Sequence, residues 1–341
     1  MDDGVAGREG DGELSRRFHL FHLLWLFVPL LLWLALRDID FADVLAALGR
    51  LDAWQIAALV ILNALTLFSF SGRWWIILRA QGHPIPYFTL AGYRTAAFGV
   101  SYFTPGPQFG GEPLQVYLLQ RNHNVPGPTA AAATAIDKAL ELLVNFAFLG
   151  FGLLVIAQQN VVPGLANGNV VGGMLVVLAL PPGFLASAWL GWSPLTRLMR
   201  LLPIRSPRYQ QACEAARESE SQITQFCRQQ PVSLLWALAF SILSWGLILI
   251  EYWLSMSFLG LPLTPLQLIV ALTINRLAFL APLPGGLGAL ESSQVLAMTA
   301  LGLPPAVGIT QSLIIRARDV VVGGLGLWWG GRAAATSLIH S

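Results

Sequence analysis

The chain has 341 residues, 55% of them hydrophobic and only 11% charged, with a formal net charge of +2 and a mean hydropathy of +0.63. A soluble domain carries about 25% charged residues, so this composition excludes an ordinary water-soluble enzyme and points to an integral membrane protein. So small a net charge says little about partners, and no nucleic-acid partner is expected.

In chain order, residues 1–17 are polar and of mixed charge and read as a disordered tail. Long apolar runs follow at about 18–36, 53–72, 129–157, 169–191, 232–258 and 305–329. Each can cross a bilayer core that needs roughly 20 helical residues. The first run is too long for a signal-peptide core and no small-residue cleavage site follows it, so it reads as a retained span. Two further apolar stretches, about 87–120 and 266–302, are broken by Pro/Gly clusters. They read as re-entrant helix pairs, which lipid tolerates only where protein or a wet cavity covers the free backbone.

The polar segment 193–231 contains a predicted amphipathic helix at 207–229. Tyr209, Cys213, Ala216, Ile223 and Phe226 form its apolar stripe at helical spacing, and Pro203, Pro207 and Pro231 bracket it. Such a helix lies on the membrane surface or caps the bundle, and the second is the preferred expectation. Cys213 and Cys227, 14 positions apart (227−213), cannot bridge within one helix. No metal-ligand spacing occurs, so no metal and no cofactor are expected.

The helix-breakers and charges repeat. Gly82, Pro84, Pro126, Lys138 and Glu141 reappear as Gly260, Pro262, Pro304, Arg316 and Asp319, each 178 positions on (260−82). Pro105, Pro107, Gly111 and Glu112 are answered, within one position of that offset, by Pro282, Pro284, Gly288 and Glu291, and Gly110, Gly285 and Gly286 belong to the same two broken-helix motifs. The repeats cover about 53–157 and 232–330 within one domain at 18–332. Arginines concentrate in the N-terminal tail (Arg8, Arg16, Arg17) and in 193–231 (Arg197, Arg200, Arg205, Arg208, Arg217, Arg228). By the positive-inside rule both termini are then cytoplasmic, in the inner membrane. With that orientation the first broken segment enters from the cytoplasm and the second from outside. The expected fold is an all-α polytopic membrane protein with about six transmembrane helices, two re-entrant helix pairs and an inverted internal repeat, the architecture of transporters with a site at the repeat interface.

Ionisable residues within apolar spans are costly and are functional candidates. They are Arg73, Glu112, Asp137, Lys138, Glu141, Glu251, Arg276, Glu291, Arg316, Arg318 and Asp319. Lys138/Glu141 and Arg316/Asp319 are i, i+3 pairs that share a helix face. They are internal ion pairs, or cationic sites facing one cavity and suited to a phosphate-bearing head group. The Pro/Gly breaks place helix N-termini, with free N–H groups and positive dipole, near the same depth. Glu112 and Glu291 in those first turns either cap the dipole or act as titrating, cation-pairing carboxylates. Arg73 and Glu251, again 178 apart (251−73), are expected to form simple salt bridges, and Arg276 to pair with Glu291. Ala130–Ala133 with Thr129 and Thr134 make a small-residue packing face. No phosphate-binding loop, nucleophile elbow, zincin motif or dinucleotide fingerprint occurs.

The stretches R-W-W-I-I-L-R-A-Q-G at 73–82, P-G-P-Q-F-G-G-E at 105–112, P-L-P-G-G-L-G-A-L-E at 282–291 and I-I-R-A-R-D at 314–319 resemble the lysylphosphatidylglycerol synthase transmembrane family, also called the flippase-like membrane domain family. The resemblance covers about residues 18–332 and departs at Asp137-Lys138, where the family pattern implies Glu-Arg. In the bifunctional multiple-peptide-resistance proteins such a domain moves aminoacylated phosphatidylglycerol across the bilayer, while a fused cytosolic domain makes that lipid. The chain stops about ten residues past its last span, so the resemblance implies lipid translocation without synthesis and no enzyme activity. The expected head-group residues are Lys138, Arg316 and Arg318 with the carboxylates around them. Membrane lipids are the expected partners, with a lipid-synthesising enzyme and a second copy of the chain as further ones. Two alternatives stand beside translocation: an intramembrane lipid-modifying enzyme using the carboxylates as acid and base, and an accessory subunit docking a lipid synthase through 207–229.

Overall fold

In the computed structural model Asp52 caps the helix that begins at Ala53, its backbone N–H donating to the Gln55 side chain at 2.9 Å. The structure describes residues 46, 48–103, 110–159, 168–202, 206–278 and 288–339. Among them are eleven helices and no strand: α1 (Ala53–Ala80), α2 (Tyr87–Phe103), α3 (Glu112–His123), α4 (Gly127–Gln159), α5 (Gly168–Leu190), α6 (Pro194–Leu201), α7 (Pro207–Gln229), α8 (Pro231–Phe258), α9 (Pro265–Ala278), α10 (Ala289–Ala300) and α11 (Pro305–Ile339). Five of them start on a proline, whose fixed φ and missing N–H suit the first helical position.

The repeat extends to the helix bounds. Both ends of α1 recur in α8 at the same 178 offset (231−53, 258−80), as do the starts of α2 in α9 (265−87) and α4 in α11 (305−127). Gly82 (φ 86°) ends α1 and Gly260 (φ 80°) ends α8. The Gly82 N–H donates to Arg79 O at 3.1 Å and the Gly260 N–H to Ser257 O at 3.0 Å. This left-handed turn absorbs the last carbonyls before Pro84 and Pro262 forbid further helix. Asn124 (φ 51°) after α3 and Gly302 (φ 67°) after α10 are another such pair.

Helices of one half pack on helices of the other: α1 on α8, α2 on α11, and α4 on α9. Small residues allow the approach. A Cβ on Gly326 of α11 would stand 2.0 Å from the Thr95 carbonyl oxygen of α2, and one on Gly152 of α4 would stand 1.8 Å from Thr273 Oγ1 of α9. Thr95 and Thr273 are themselves 178 apart, and each hydroxyl turns back to its own helix, onto Ala91 O at 2.7 Å and Ile269 O at 2.7 Å.

Large apolar side chains face outward: Val60 and Phe68 on α1, Leu154 on α4, Leu235 and Ile242 on α8, Val321 and Leu325 on α11. That is the arrangement a bilayer solvates. Three described helices, α1, α4 and α8, are long and apolar enough to cross a membrane. This is fewer than the six spans expected. The run at 18–36 lies outside the described residues. Within α5 the qualifying apolar stretch is Leu178–Leu190, shorter than a span. α11 carries Arg316, Arg318 and Asp319 in its middle.

α7 occupies the expected 207–229 range and caps the bundle, packing on α4, α5 and α6. Ile223, Phe226 and Cys227 are buried in one cluster with Trp74, Leu119 and Ala133. Glu220 ties α7 to α6: its carboxylate accepts the Leu195 N–H at 2.7 Å, the Thr196 N–H at 3.1 Å and the Thr196 hydroxyl at 2.5 Å. The negative charge thereby satisfies the free donors at the positive end of α6. The expected small-residue face is also packed away, with Thr129, Ala130, Ala132, Ala133 and Thr134 buried.

Candidate functional site

The polar interior is built from buried and half-buried charges on long helices and on the two 12-residue helices. On α4, Asp137, Lys138 and Glu141 share a face. Arg73 comes from α1, donating from Nε to Asp137 at 2.6 Å and from one terminal nitrogen to Glu141 at 3.0 Å. Its other terminal nitrogen reaches Ser241 of α8 at 3.1 Å. Arg94 of α2 grips the same two carboxylates at 2.5 and 2.9 Å. Phe70 lies under both guanidinium groups, 5.4 Å from Arg73 and 5.3 Å from Arg94. Lys138 joins Glu141 at 3.0 Å and Glu112, in the first turn of α3, at 3.2 Å. The second Glu112 oxygen accepts the Gly110 N–H at 2.9 Å. Glu112 therefore does both things expected of it: it answers a helix start and pairs a cation.

The second half repeats the pattern with different chemistry. Arg316 of α11 donates from Nε to Glu291, in the first turn of α10, at 2.8 Å, with a second bond from the same guanidinium. Arg318 bonds Glu251 of α8 at 2.7 Å and the neighbouring Asp319 at 2.7 Å. Behind these charges lies a neutral network. Tyr252 donates to Gln294 at 2.7 Å and accepts from Asn275 at 3.2 Å, and Ser293 donates to Asn275 at 2.9 Å. Near these groups Glu291 Oε2, Gln294 Nε2 and the Tyr102 hydroxyl are buried without a hydrogen-bond partner among the described residues.

Arg276 of α9 stands between the clusters. Its guanidinium lies over the Trp245 ring at 5.0 Å. It is within electrostatic reach of Glu141 in one cluster and of Glu251, Arg318 and Asp319 in the other. Charges of both halves thus lie within electrostatic reach of one residue, Arg276.

Several expected pairings resolve differently. Glu291 is held by Arg316 and not by Arg276. Lys138 and Glu141 bond each other, whereas Asp319 bonds Arg318 and not its i, i+3 neighbour Arg316. Arg73 and Glu251 each sit in a salt bridge. Gly110 (φ 145°) and Gly288 (φ 72°) adopt backbone that only glycine enters readily. A Cβ on Gly111 would strike the Ala97 carbonyl oxygen at 2.1 Å. Pro105, Pro107, Pro282, Pro284, Gly285 and Gly286 lie outside the described residues. Arg94 is absent from the candidates drawn from sequence. The signal was present: a lone arginine in the apolar stretch A-G-Y-R-T-A-A at 91–97 meets the same rule as the others. Tyr102 carries no such signal, since a tyrosine in an apolar helix is ordinary.

The profile of the family described as "Lysylphosphatidylglycerol synthase TM region" matches residues 23–326. A relative described as "UPF0104 membrane protein", from Methanothermobacter thermautotrophicus, is 22% identical over 283 residues, covering 79% of this chain and 82% of its own. No solved structure gives a significant match. The profile match takes in both charge clusters and both pairs of short helices, and the chain belongs to the family of the lysylphosphatidylglycerol synthase TM region.

Proposed function

We propose that this protein translocates an anionic or phosphate-bearing lipid across the inner membrane. The head group passes through the polar core between the two halves while the acyl tails remain in the bilayer. The observation that carries this reading is the paired charge of both halves: two clusters of buried and half-buried ion pairs inside a body whose outer face is apolar. A structural protein has no need of so many charges at that depth, where each one is expensive. In this reading α2–α3 and α9–α10 are re-entrant pairs. Their helices, of 17, 12, 14 and 12 residues, extend about 18–25 Å at 1.5 Å per residue, short of a roughly 30 Å core. Inversion of the halves, with both termini cytoplasmic, follows from the loop arginines. The family profile describes a membrane region, which favours transport over synthesis.

The test is translocation of a fluorescent phosphatidylglycerol in liposomes, read by dithionite quenching of the outer leaflet. The wild type is expected to expose the inner-leaflet label, and Arg316→Ala and Glu291→Gln to slow exposure roughly tenfold or more, about 1.4 kcal/mol, at equal incorporation. Unchanged rates in both variants contradict the proposal. A new lipid species appearing in the vesicles would transfer the assignment to a lipid-modifying enzyme.

A further inference from the structure

The cations of the core are engaged unequally. Arg73, Arg94, Lys138, Arg316 and Arg318 each bond at least one carboxylate. Arg276, in the last turn of α9, has no ion pair and no hydrogen bond among the described residues; its guanidinium lies over the Trp245 ring. The nearby carboxylates offset its charge but use other donors. Glu141 is held by Arg73, Arg94 and Lys138, and Glu251 and Asp319 by Arg318.

The Trp245 contact also orients the group. Trp245 stacks on Phe148 with centroids 4.6 Å apart and planes 28° apart, so the indole is itself held. A cation held over an aromatic ring is attracted by the ring's electrostatic field, and the N–H donors of Arg276 have no hydrogen-bond acceptor among the described residues. Five donors in a fixed fork, without protein acceptors, are costly where water is scarce. A tetrahedral oxyanion matches that fork, because two of its oxygens can take two parallel N–H bonds. Arg276 is only partly buried, so a ligand has access.

The two halves differ at this point. The arginine of α2, Arg94, corresponds by the repeat offset to Leu272, one turn before Arg276 (94+178). Arg94 is fully engaged by Asp137 and Glu141. Among the described residues the repeat therefore leaves the Arg276 fork, on the α9 side, without a carboxylate partner.

We propose that Arg276 is the seat of the head-group phosphate, and that Lys138, Arg316 and Arg318 form the charged frame around it. This rests on the translocator reading and adds which cation touches the anion. It also accounts for a half-buried arginine kept beside an indole and not beside a carboxylate.

The experiment compares wild type, Arg276→Gln, Arg276→Lys and Arg316→Ala in the liposome assay, with fluorescent phosphatidylglycerol and with a fluorescent ceramide that lacks phosphate. Soluble inorganic phosphate and glycerol 3-phosphate serve as competitors. Arg276→Gln is expected to lose roughly tenfold or more of phosphatidylglycerol translocation and all sensitivity to the competitors. Arg276→Lys, which keeps the charge but not the fork, is expected to fall between. The unfolding temperature of Arg276→Gln in detergent should match the wild type, because no protein hydrogen bond is removed. Competition by inorganic phosphate would mean that the free anion suffices; competition by glycerol 3-phosphate alone would mean that the seat reads a phosphate ester. Either result supports the seat. Wild-type rates and competition in Arg276→Gln, with Arg316→Ala inactive, overturn it and leave the translocator reading standing. A large drop in unfolding temperature for Arg276→Gln also overturns it, by making the residue structural. A wild type no faster than protein-free vesicles overturns the translocator reading itself, and the seat with it.

Discussion

Glu291 stands to Arg316 as Glu112 stands to Lys138. In each half the first-turn carboxylate of a 12-residue helix bonds the cation eleven positions into the long helix that follows (316−305, 138−127). The surroundings are not equal. The Arg316 side chain is 2% exposed and the Lys138 side chain 18%. Glu112 also has the Gly110 N–H, and Glu141, the other partner of Lys138, has two arginines as well. Glu291 Oε2 has no partner among the described residues.

Loss of Arg316 should therefore be the more damaging. Arg316→Ala leaves Glu291 with neither oxygen held by Arg316, at a cost of about 1–3 kcal/mol for a desolvated acceptor without a partner. Lys138→Ala leaves both of its carboxylates with other donors and should cost less. Unfolding temperatures of the two variants in detergent check the order, and the reverse order would contradict it.

Arg73 joins three helices through Asp137, Glu141 and Ser241, with its side chain fully buried. Arg94 shares two of those partners and is 12% exposed. Arg73→Ala should cost about 3–5 kcal/mol, as breaking a buried pair does, and should lower the yield of folded protein. Arg94→Ala should cost less, because Arg73 still covers both carboxylates. Fluorescence-detected size exclusion reads the folded fraction of each.

At the crossings between halves, the obstacle to a side chain differs. Beside Gly326 it is the Thr95 backbone, at 2.0 Å to oxygen and 2.6 Å to carbon; beside Gly152 it is the Thr273 side chain. Gly324 has nothing within 4 Å. Gly326→Ala should destabilise by more than the 1 kcal/mol or so that alanine gains in a helix, since backbone cannot step aside. Gly152→Ala should be milder, and Gly324→Ala neutral or stabilising. Thermal unfolding of the three variants tests the ranking.

Cys213 and Cys227 are both unbridged thiols. Cys227 is 1% exposed, and burial pushes its thiol above the usual range. Because the thiolate is the reacting form, a maleimide should modify Cys213 much faster at neutral pH. Cys227 should react appreciably only as pH rises or the fold opens. Mass spectrometry of briefly labelled protein shows which site is modified first.

What the sequence makes legible is local. Proline, glycine and charge at one offset revealed the repeat, and polar periodicity placed α7 at 207–229, because those signals act within a few residues. Pairing is not local. The second span was expected to stop near 72, yet α1 continues to Ala80, because Arg73 is neutralised by carboxylates 64 and 68 positions away. Arg276 is expected from the sequence to pair with Glu291, but Arg316 comes in from α11 and Arg276 lies over an indole. Which cation is engaged and which is open depends on helix crossings that no spacing in the chain encodes.

The most direct measurement is the sidedness of the two pairs of short helices. Pro113→Cys and Ser292→Cys, at exposed positions in the first turns of α3 and α10, are introduced singly into a Cys213→Ala, Cys227→Ala background. Each is labelled with an impermeant maleimide in right-side-out and inside-out vesicles. Pro113→Cys is expected to react from the cytoplasmic side and Ser292→Cys from the opposite side, with two inverted entrances leading to one charged core. Reaction of both from the same side would contradict the inversion and with it passage of a head group through the core.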